Sequence, residues 1–203
     1  KISFTPIDPA VDPGDLSAPV TENPIDISGL PANTTVYWYV QADCGGGDYS
    51  DWSEQAEFTT LCDPISTLPY TEDFESGIVP PDCWSAINYD GGGGPSSWTN
   101  SISQNHTESG NNSAYRQYMF GMQDDWLISP QIEIPATGEY VLDFWSYNEE
   151  PAYYGQNSVM ISTSGMGIGD FVNIWSAASV VESWENTVLD LSAYNSQSIY
   201  IAF

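Results

Sequence analysis

Positively charged residues are almost absent from this sequence of 203 residues. Lysine and arginine together number two, Lys1 and Arg116, against 28 aspartates and glutamates, so the formal net charge is −26 at pH 7. Nucleic acids are excluded as partners, because phosphate binding depends on Lys and Arg side chains that release counterions. Binding to anionic membrane surfaces is excluded for the same reason.

Long apolar runs are missing as well. No stretch approaches the roughly 18 apolar residues that a membrane-spanning helix needs, so we expect no membrane insertion. The first residues, KISFTPIDPAVDPGD, lack the charged and then apolar plan of a signal peptide. Either a leader has been removed or the sequence is an internal piece, and we expect the remainder of a parent polypeptide to be one of its partners.

Residues that favour helices are scarce, whereas Gly, Pro, Ser, Thr, Asn, Tyr and Trp are abundant. Hydrophobic residues make up 41% of the chain and aromatic residues 14%, which is enough for a packed core and argues against a disordered acidic tail. Short alternating runs lie between turn clusters, and this pattern predicts an antiparallel all-β protein.

The first part predicts a hairpin with one buried face. Its first strand is Thr35–Cys44, a glycine-rich turn follows at residues 45–48, and a return strand carries Ala56 and Phe58. The predicted buried face of the first strand consists of Val36, Trp38, Val40 and Ala42.

The string SGLPANTTVYWYVQADCGGGDYSDWSEQAEFTT resembles the C-terminal half of a fibronectin type III domain. The resemblance rests on the Leu30–Thr34 turn, the Trp52-Ser53 pair and the closing Phe58-Thr59-Thr60. A complete sandwich of this class needs about 90–100 residues, so residues 1–61 correspond to a partial domain. Either the chain starts inside that domain or residues 1–20 supply a substitute strand. Residues 62–69 (CDPISTLP) are predicted to be a linker.

Residues 70–203 predict a second β-sandwich, a jelly roll. Ten short strands are expected, at Tyr70–Phe74, Trp84–Asn88, Ala114–Phe120, Trp126–Ser129, Gln131–Ile134, Tyr140–Tyr147, Ser158–Thr163, Phe171–Ser176, Glu185–Leu191 and Ser198–Phe203.

This second part resembles the cleaved-adhesin (MAM-like) jelly roll of large surface and secreted proteins of Bacteroidetes, including the adhesin regions of gingipains. The matching motifs run from Phe74-Glu75 and Cys83-Trp84, through DDWLISPQI at residues 124–132, to IYIAF at residues 199–203. Members of that family usually continue into a final strand with one or two aspartates, so we expect the domain to be truncated at the C-terminus.

Calcium is the cofactor that we predict. Ca²⁺ takes six to eight oxygen ligands, and the loop ends near residues 71–75 and 88–94 offer Asp73, Glu75, Asn88 and Asp90, with Asp125 as a further candidate. The resemblance implies a structural ion beside the Phe-Glu motif, which places Glu75 in its ligand set. The alternative is that these are solvated surface carboxylates, and no EF-hand spacing is present.

Three cysteines allow one disulfide with one thiol left over, or three thiols in a reducing compartment. In the resembled family a cysteine before Phe-Glu often accompanies Cys-Trp. The resemblance therefore implies a Cys62–Cys83 disulfide and leaves Cys44 over.

Candidate ligand-binding aromatics surround an acidic turn, NEEPAYYG, and are Tyr147, Tyr153 and Tyr154. Exposed tyrosines stack on sugars and anchor protein contacts, although most of the 28 aromatics of such a chain belong to the core or its rim. Signs of an enzyme are missing: the single histidine, His106, lies in a polar loop, and there is no Gly-x-Ser-x-Gly elbow. His106 is therefore predicted to be a surface residue.

These observations favour a non-catalytic, calcium-stabilised adhesion or binding module of a large secreted or cell-surface bacterial protein. Its partner would be an extracellular glycan or protein. Two alternatives stay open: an accessory domain of a secreted peptidase or glycosidase whose catalytic domain lies outside this chain, and a structural stalk segment.

Overall fold

The structure is a computed structural model and describes residues 1–15, 20–21, 24–89, 98–106, 110–116, 123–148, 157–177 and 182–203. The chain divides into two compact units, Lys1–Asp63 and Pro64–Phe203. The described residues contain no α-helix, and their only helical turns are the short 3₁₀ turns Ile168–Asp170 and Ser192–Tyr194. The prediction of an all-β protein is therefore confirmed.

The first unit is built on a small three-stranded sheet. Its strands and those of a neighbouring ribbon are β1 (Ile2–Ser3), β2 (Thr35–Trp38), β3 (Asp43–Gly45), β4 (Asp48–Tyr49) and β5 (Ala56–Thr59). β2 lies between β1 and β5 and is antiparallel to both, while β3 and β4 form the separate ribbon. Residues 1–20 thus contribute a two-residue strand, β1, to this sheet.

The predicted buried face of the first strand is only partly buried, which corrects that prediction. Val36 is fully buried, but Trp38 and Val40 are exposed, and so is Phe58 on β5. β2 ends at Trp38, so the strict alternation of faces ends there and Tyr39 is buried instead. The Tyr39 hydroxyl donates to Oε1 of Gln55 at 3.0 Å, which supplies the hydrogen-bond partner that a buried phenol needs.

The described residues of the second unit form ten strands. They are β6 (Ser85–Asn88), β7 (Trp98–Ser101), β8 (Ser113–Arg116), β9 (Asp125–Ile128), β10 (Ile132–Glu133), β11 (Val141–Ser146), β12 (Ser158–Ser162), β13 (Val172–Ser176), β14 (Glu185–Asp190) and β15 (Ser198–Ala202). β13, β12, β15, β9 and β6 are neighbours in that order in one antiparallel sheet, and β10 pairs with β15. β11 pairs with β14, and β7 with β8.

The core lies on both faces of the large sheet, because successive side chains of a strand point to opposite faces. Along β15, Ile199 and Ile201 belong to the larger apolar cluster, whereas Ala202 belongs to a second cluster with Phe171 and Ile128. Residues of β11 and β14 pack against the larger cluster, namely Leu142, Phe144 and Leu189. The second unit is thus a β-sandwich in which the β11–β14 pair covers the large sheet.

Two details of the second unit differ from the strands predicted for it. Residues 70–74 form no strand, because Phe74 has a φ of +60°, a left-handed conformation that interrupts extended backbone. The strand Trp98–Ser101 was not predicted, since its sequence WTNS lacks an apolar alternation.

The segment predicted as a linker, residues 62–69, is not a free connector, because its residues from Pro64 onward belong to the second unit. The Ile65 amide donates to the Gln131 carbonyl at 2.8 Å and its carbonyl accepts from Glu133 at 2.9 Å, which forms a parallel bridge with Ile132. Ile65 and Leu68 also pack against the larger apolar cluster.

Candidate functional site

Glu75, the central residue of the predicted calcium site, holds the loop that leads into β8. Its Oε2 accepts hydrogen bonds from the Asn111 amide at 2.8 Å and from Asn112 Nδ2 at 3.2 Å, and its Oε1 accepts from the Asn112 amide at 3.2 Å. An ionised carboxylate that accepts several N–H bonds makes the stronger, charge-assisted kind of hydrogen bond. Glu75 therefore tethers residues that lie far from it in sequence.

The turn before Glu75 is arranged by its own side chains. The Phe74 amide donates to Glu72 Oε1 at 2.8 Å, and the Glu75 amide donates to Asp73 Oδ1 at 3.0 Å. The left-handed backbone of Phe74 accompanies an edge-to-face contact of its ring with Trp84, with ring centroids 5.9 Å apart. The phenylalanine thus faces an aromatic neighbour while the adjacent glutamate bonds to the Asn111–Asn112 loop.

Tyr70 closes the other side of this turn. Its hydroxyl accepts from Trp84 Nε1 at 3.0 Å and donates to Glu72 Oε2 at 3.4 Å. Burial raises the pKa of Tyr70, the bond from Trp84 opposes that shift, and the negative charge of Glu72 adds to it.

Asp125 lies in an ion pair. Its Oδ2 accepts from Nε and Nη2 of Arg116, at 3.1 and 3.0 Å, and its side chain is 1% exposed while that of Arg116 is 18% exposed. Arg116 also donates to Oε1 of Gln123. Asn88 is the cross-strand neighbour of Asp125 in the β6–β9 pair.

These contacts separate the predicted calcium ligands. Glu75 bonds at the start of β8 and Asp125 at its last residue, Arg116, and four residues of strand span about 13 Å. The ligand distance of calcium is only about 2.3–2.6 Å, so the described residues do not fit one ion shared by Glu75 and Asp125. Asp90 lies outside the described residues.

A preformed metal cluster is not found in the part of the chain that the structure describes. No group of three or more His, Cys, Asp or Glu side chains there is arranged to hold an ion. Within the predicted set the structure brings Asp73 close to Glu75, and Asn88 opposite Asp125. Asp73 and Glu75 each already accept at least one N–H bond.

Cys62 and Cys83 are both disulfide-bonded. Cys44, in β3, is a free and exposed cysteine. This is the arrangement that the cleaved-adhesin resemblance implied.

An aromatic patch lies at one end of the β11–β14 pair and consists of His106, Trp145, Tyr147 and Trp184. The His106 and Trp145 rings are stacked with centroids 3.5 Å apart, and Trp184 contacts both His106 and Tyr147 at 5.5 Å. Trp145 remains 46% exposed in spite of its histidine neighbour. Of the predicted ligand-binding tyrosines, Tyr147 belongs to this patch, and Tyr153 and Tyr154 lie outside the described residues.

A cavity of about 200 Å³ opens at the same end of the two strands. We call it the end cavity, and its lining consists of Ser146, Asn148, Trp175, Ala177, Glu185, Asn186 and Thr187. Asn186 is also the cross-strand partner of Trp145, and its Nδ2 donates to Oδ1 of Asp143 at 2.6 Å. The aromatic patch and the end cavity are therefore adjacent.

The sequence reasoning missed Trp145, Trp184 and the stacking of His106. The exposure of Trp145 could have been predicted from the sequence. In the alternation of β11 this residue falls on the opposite face from the core residues Leu142 and Phe144. The contact of His106 with Trp145 could not be predicted from the sequence, because His106 lies in a loop about 40 residues before Trp145.

At the other end of β14, Asp190 accepts from the Ser192 hydroxyl at 2.6 Å and from the Ser192 amide at 2.8 Å. These two bonds hold the pKa of Asp190 below its ordinary value, because they stabilise the ionised carboxylate, and the bond from the Ser192 hydroxyl has the larger effect.

The described part of the chain contains no helix with the length and apolar character that crossing a membrane requires.

Comparison with known proteins gives one curated relative and several solved structures. The chain is 23% identical to Hemagglutinin A of Porphyromonas gingivalis over an alignment of 197 residues, which covers 78% of this chain and 9% of that protein. The chain thus spans less than a tenth of the length of this relative. It is also similar to the K1 and K2 cleaved adhesin domains of Lys-gingipain, the first from P. gingivalis W83, with 21% identity and TM-scores of 0.48 and 0.49. These likenesses cover 64% and 66% of this chain and 85% and 86% of those domains.

The decisive comparison is with a family model. The model described as Cleaved Adhesin Domain matches residues 67–202, which is more than half of the chain. This range lies within the second unit and contains the motifs from Phe74-Glu75 to the final strand. The resemblance predicted from the sequence is confirmed, and the chain belongs to the Cleaved Adhesin Domain family.

Proposed function

We propose that this chain is a non-catalytic adhesion module of a larger secreted or cell-surface bacterial protein. The observation that carries the proposal is the aromatic patch, where Trp145 presents almost half of its surface to solvent beside three further rings. Large aromatic side chains that are exposed in a cluster are typical of binding surfaces. Membership of the Cleaved Adhesin Domain family and the relative named Hemagglutinin A support the same function.

An adhesion assay tests this proposal. Beads that carry the chain are passed over a surface coated with extracellular glycoproteins, and retention under flow is compared with beads that carry the Trp145→Ala variant. Val188→Ala is the matched control, because Val188 is also exposed on the β11–β14 pair but lies opposite Asp143 rather than within the patch. We expect retention of the wild type and the control and loss of retention for Trp145→Ala.

Two other functions predict different results in that assay. A structural stalk segment predicts no retention for any of the variants. An accessory domain of a secreted hydrolase predicts retention, together with turnover of the glycoprotein only when a catalytic domain is attached. An unchanged mass of the glycoprotein after incubation with the isolated chain supports the non-catalytic proposal.

Calcium stabilisation is part of the proposal. The support is the charge of −26 and the adjacent carboxylates of Asp73 and Glu75 in the turn before β6, with Asn88 and Asp90 as further candidates. We leave Asp125 out of the ligand set, because its carboxylate is bound by Arg116. A bound divalent cation offsets carboxylate repulsion and stabilises the folded state in proportion to the logarithm of its concentration.

The fibronectin type III assignment of residues 1–61 remains a proposal as well. Its support is the three-stranded sheet in the order β1, β2, β5, together with the turn that begins at Leu30. We propose that this unit acts as a spacer for the adhesin unit.

A further inference from the structure

We propose that the aromatic patch and the end cavity together bind an uncharged oligosaccharide. One sugar ring stacks on Trp145, and a neighbouring ring enters the end cavity and exchanges hydrogen bonds with its lining. This inference rests on the proposed adhesive function and names the ligand class of the same surface.

The stacking surface is provided by Trp145. The indole lies on the solvent side of β11 and is 46% exposed even though His106 is stacked against it at 3.5 Å. Trp184 and Tyr147 extend the aromatic surface around the histidine, with centroid distances of 5.5 Å. An aromatic ring held by neighbouring rings loses little conformational entropy when a ligand binds, so it makes an efficient stacking platform.

The hydrogen-bonding surface is provided by the end cavity. Its lining combines the hydroxyls of Ser146 and Thr187, the amide of Asn148 and the carboxylate of Glu185. Such a mixture of donors and acceptors suits a ligand whose hydroxyl groups both donate and accept. An apolar anchor from a protein partner would leave these groups without hydrogen bonds, which is costly.

The register of the strands explains why more than one ring is required. Trp145 and Ser146 are successive residues of β11, so their side chains point to opposite faces of the strand. Asn186 connects the two sides, because it pairs with Trp145 and also lines the end cavity. A ligand that uses both surfaces passes around the end of the β11–β14 pair, and a single monosaccharide is too short for this.

The charge of the surroundings selects against anionic glycans. Asp143 and Glu185 are exposed carboxylates beside the patch, and the chain offers only two cations. Arg116 is bound to Asp125, and Nζ of Lys1 donates to the Pro9 and Asp12 carbonyls in the first unit. A sialic acid or sulfate group therefore meets these carboxylates and neither the lysine nor the arginine of the chain, so an uncharged glycan is favoured.

The test measures binding by calorimetry and on an array that carries uncharged oligosaccharides, the same oligosaccharides with added sialic acid or sulfate, and monosaccharides. We expect binding to uncharged oligosaccharides only, with at least about a tenfold loss of affinity for Trp145→Ala, which corresponds to ~1.4 kcal/mol. Trp145→Phe, which keeps a stacking ring, should lose only a few-fold, and Val188→Ala should bind like the wild type. Equal melting temperatures of all four proteins establish that the variants are folded.

Three outcomes overturn the inference: stronger binding of the sialylated or sulfated glycans, equal affinity of Trp145→Ala and wild type, or no binding to any glycan. The bead assay then separates the two proposals. If retention persists on a glycoprotein from which the glycans have been removed enzymatically, the adhesive function stands and the glycan inference is wrong. If retention is absent on both the intact and the deglycosylated surface, both proposals fail.

Discussion

Replacing Arg116 by methionine should destabilise the second unit more than any other single change of a charged residue described above. The Asp125 side chain is 1% exposed, so its carboxylate would lose both guanidinium hydrogen bonds in a place that water does not reach. Removing one partner of a buried ion pair typically costs about 3–5 kcal/mol. Because Arg116 itself is 18% exposed, solvent partly screens the ion pair. We therefore expect Arg116→Met to lower the free energy of unfolding by about 3 kcal/mol.

The assay is urea unfolding at pH 7, followed by tryptophan fluorescence and near-ultraviolet circular dichroism. A loss of about 3 kcal/mol should lower the melting temperature of a unit of this size by roughly 10 °C. Adding Asp125→Leu to Arg116→Met removes the unpaired charge, and replacing both partners by apolar side chains of similar volume is often close to neutral. We therefore expect the double variant to recover most of the lost stability.

Gln123→Ala serves as the control, because it removes a hydrogen bond of Arg116 but leaves the ion pair intact. Its cost should stay near about 1 kcal/mol. If Arg116→Met unfolds within about 0.5 kcal/mol of the wild type, or if the double variant is no more stable than Arg116→Met, the reasoning about the buried ion pair is wrong.

Three further predictions concern the loops and the acidic surface. Glu75→Ala removes the acceptor of three N–H bonds and should lower the free energy of unfolding in urea by about 2 kcal/mol. Glu57 is an exposed residue of the first unit, and Glu57→Ala should change this free energy little. Equal effects of the two variants would contradict the tethering role of Glu75. Ser192→Ala should raise the pKa of Asp190 towards its ordinary value in an NMR titration, because the largest cause of the lowered value is the Ser192 hydroxyl. The lowered pKa stabilises the fold fully above the unfolded value of about 4, and this contribution is lost as the pH falls through the folded value. The difference in stability between the variant and the wild type should therefore be largest above about pH 4 and disappear at lower pH. A calcium chelator should lower the melting temperature by several degrees at low salt, and an unchanged melting curve would remove calcium from the proposed function.

Much of the second unit could be predicted from the sequence, because apolar residues recur at every second position of its strands. Ile199 and Ile201 on β15 are an example, and the structure buries both in the larger cluster. The prediction failed where a single backbone angle decides the outcome. The positive φ of Phe74 ends the predicted strand of residues 70–74, and nothing in a phenylalanine side chain signals such a conformation.

The burial pattern of the first unit was harder to predict from the sequence, because its small sheet does not bury a complete face. Trp38 and Phe58 are residue types that are common in cores but are exposed, and the sheet that carries them has only three strands. Burial of an aromatic residue depends on the layer that covers it, and this information is not contained in a local pattern.

The candidate site was only partly predictable for a related reason. Tyr147 was predicted as a binding residue because it precedes an acidic turn in the sequence. The aromatic patch, however, depends on contacts between residues that are far apart in sequence, such as His106 and Trp184. The grouping of Asp125 with Glu75 was suggested by their chemistry alone. The strand β8 separates them, because Asn112 directly precedes it and Arg116 is its last residue, and that separation follows from strand pairing rather than from composition.

The position of Arg116 also has a consequence for how long the protein survives among digestive enzymes. A trypsin-like protease must draw a lysine or arginine into its own acidic pocket, and the second unit contains only this one such residue. In the folded state Asp125 already occupies its guanidinium, so cleavage there requires the ion pair to open first. At a given protease concentration, the rate at which such an enzyme degrades the adhesin unit should therefore follow the population of molecules that are locally open around β8.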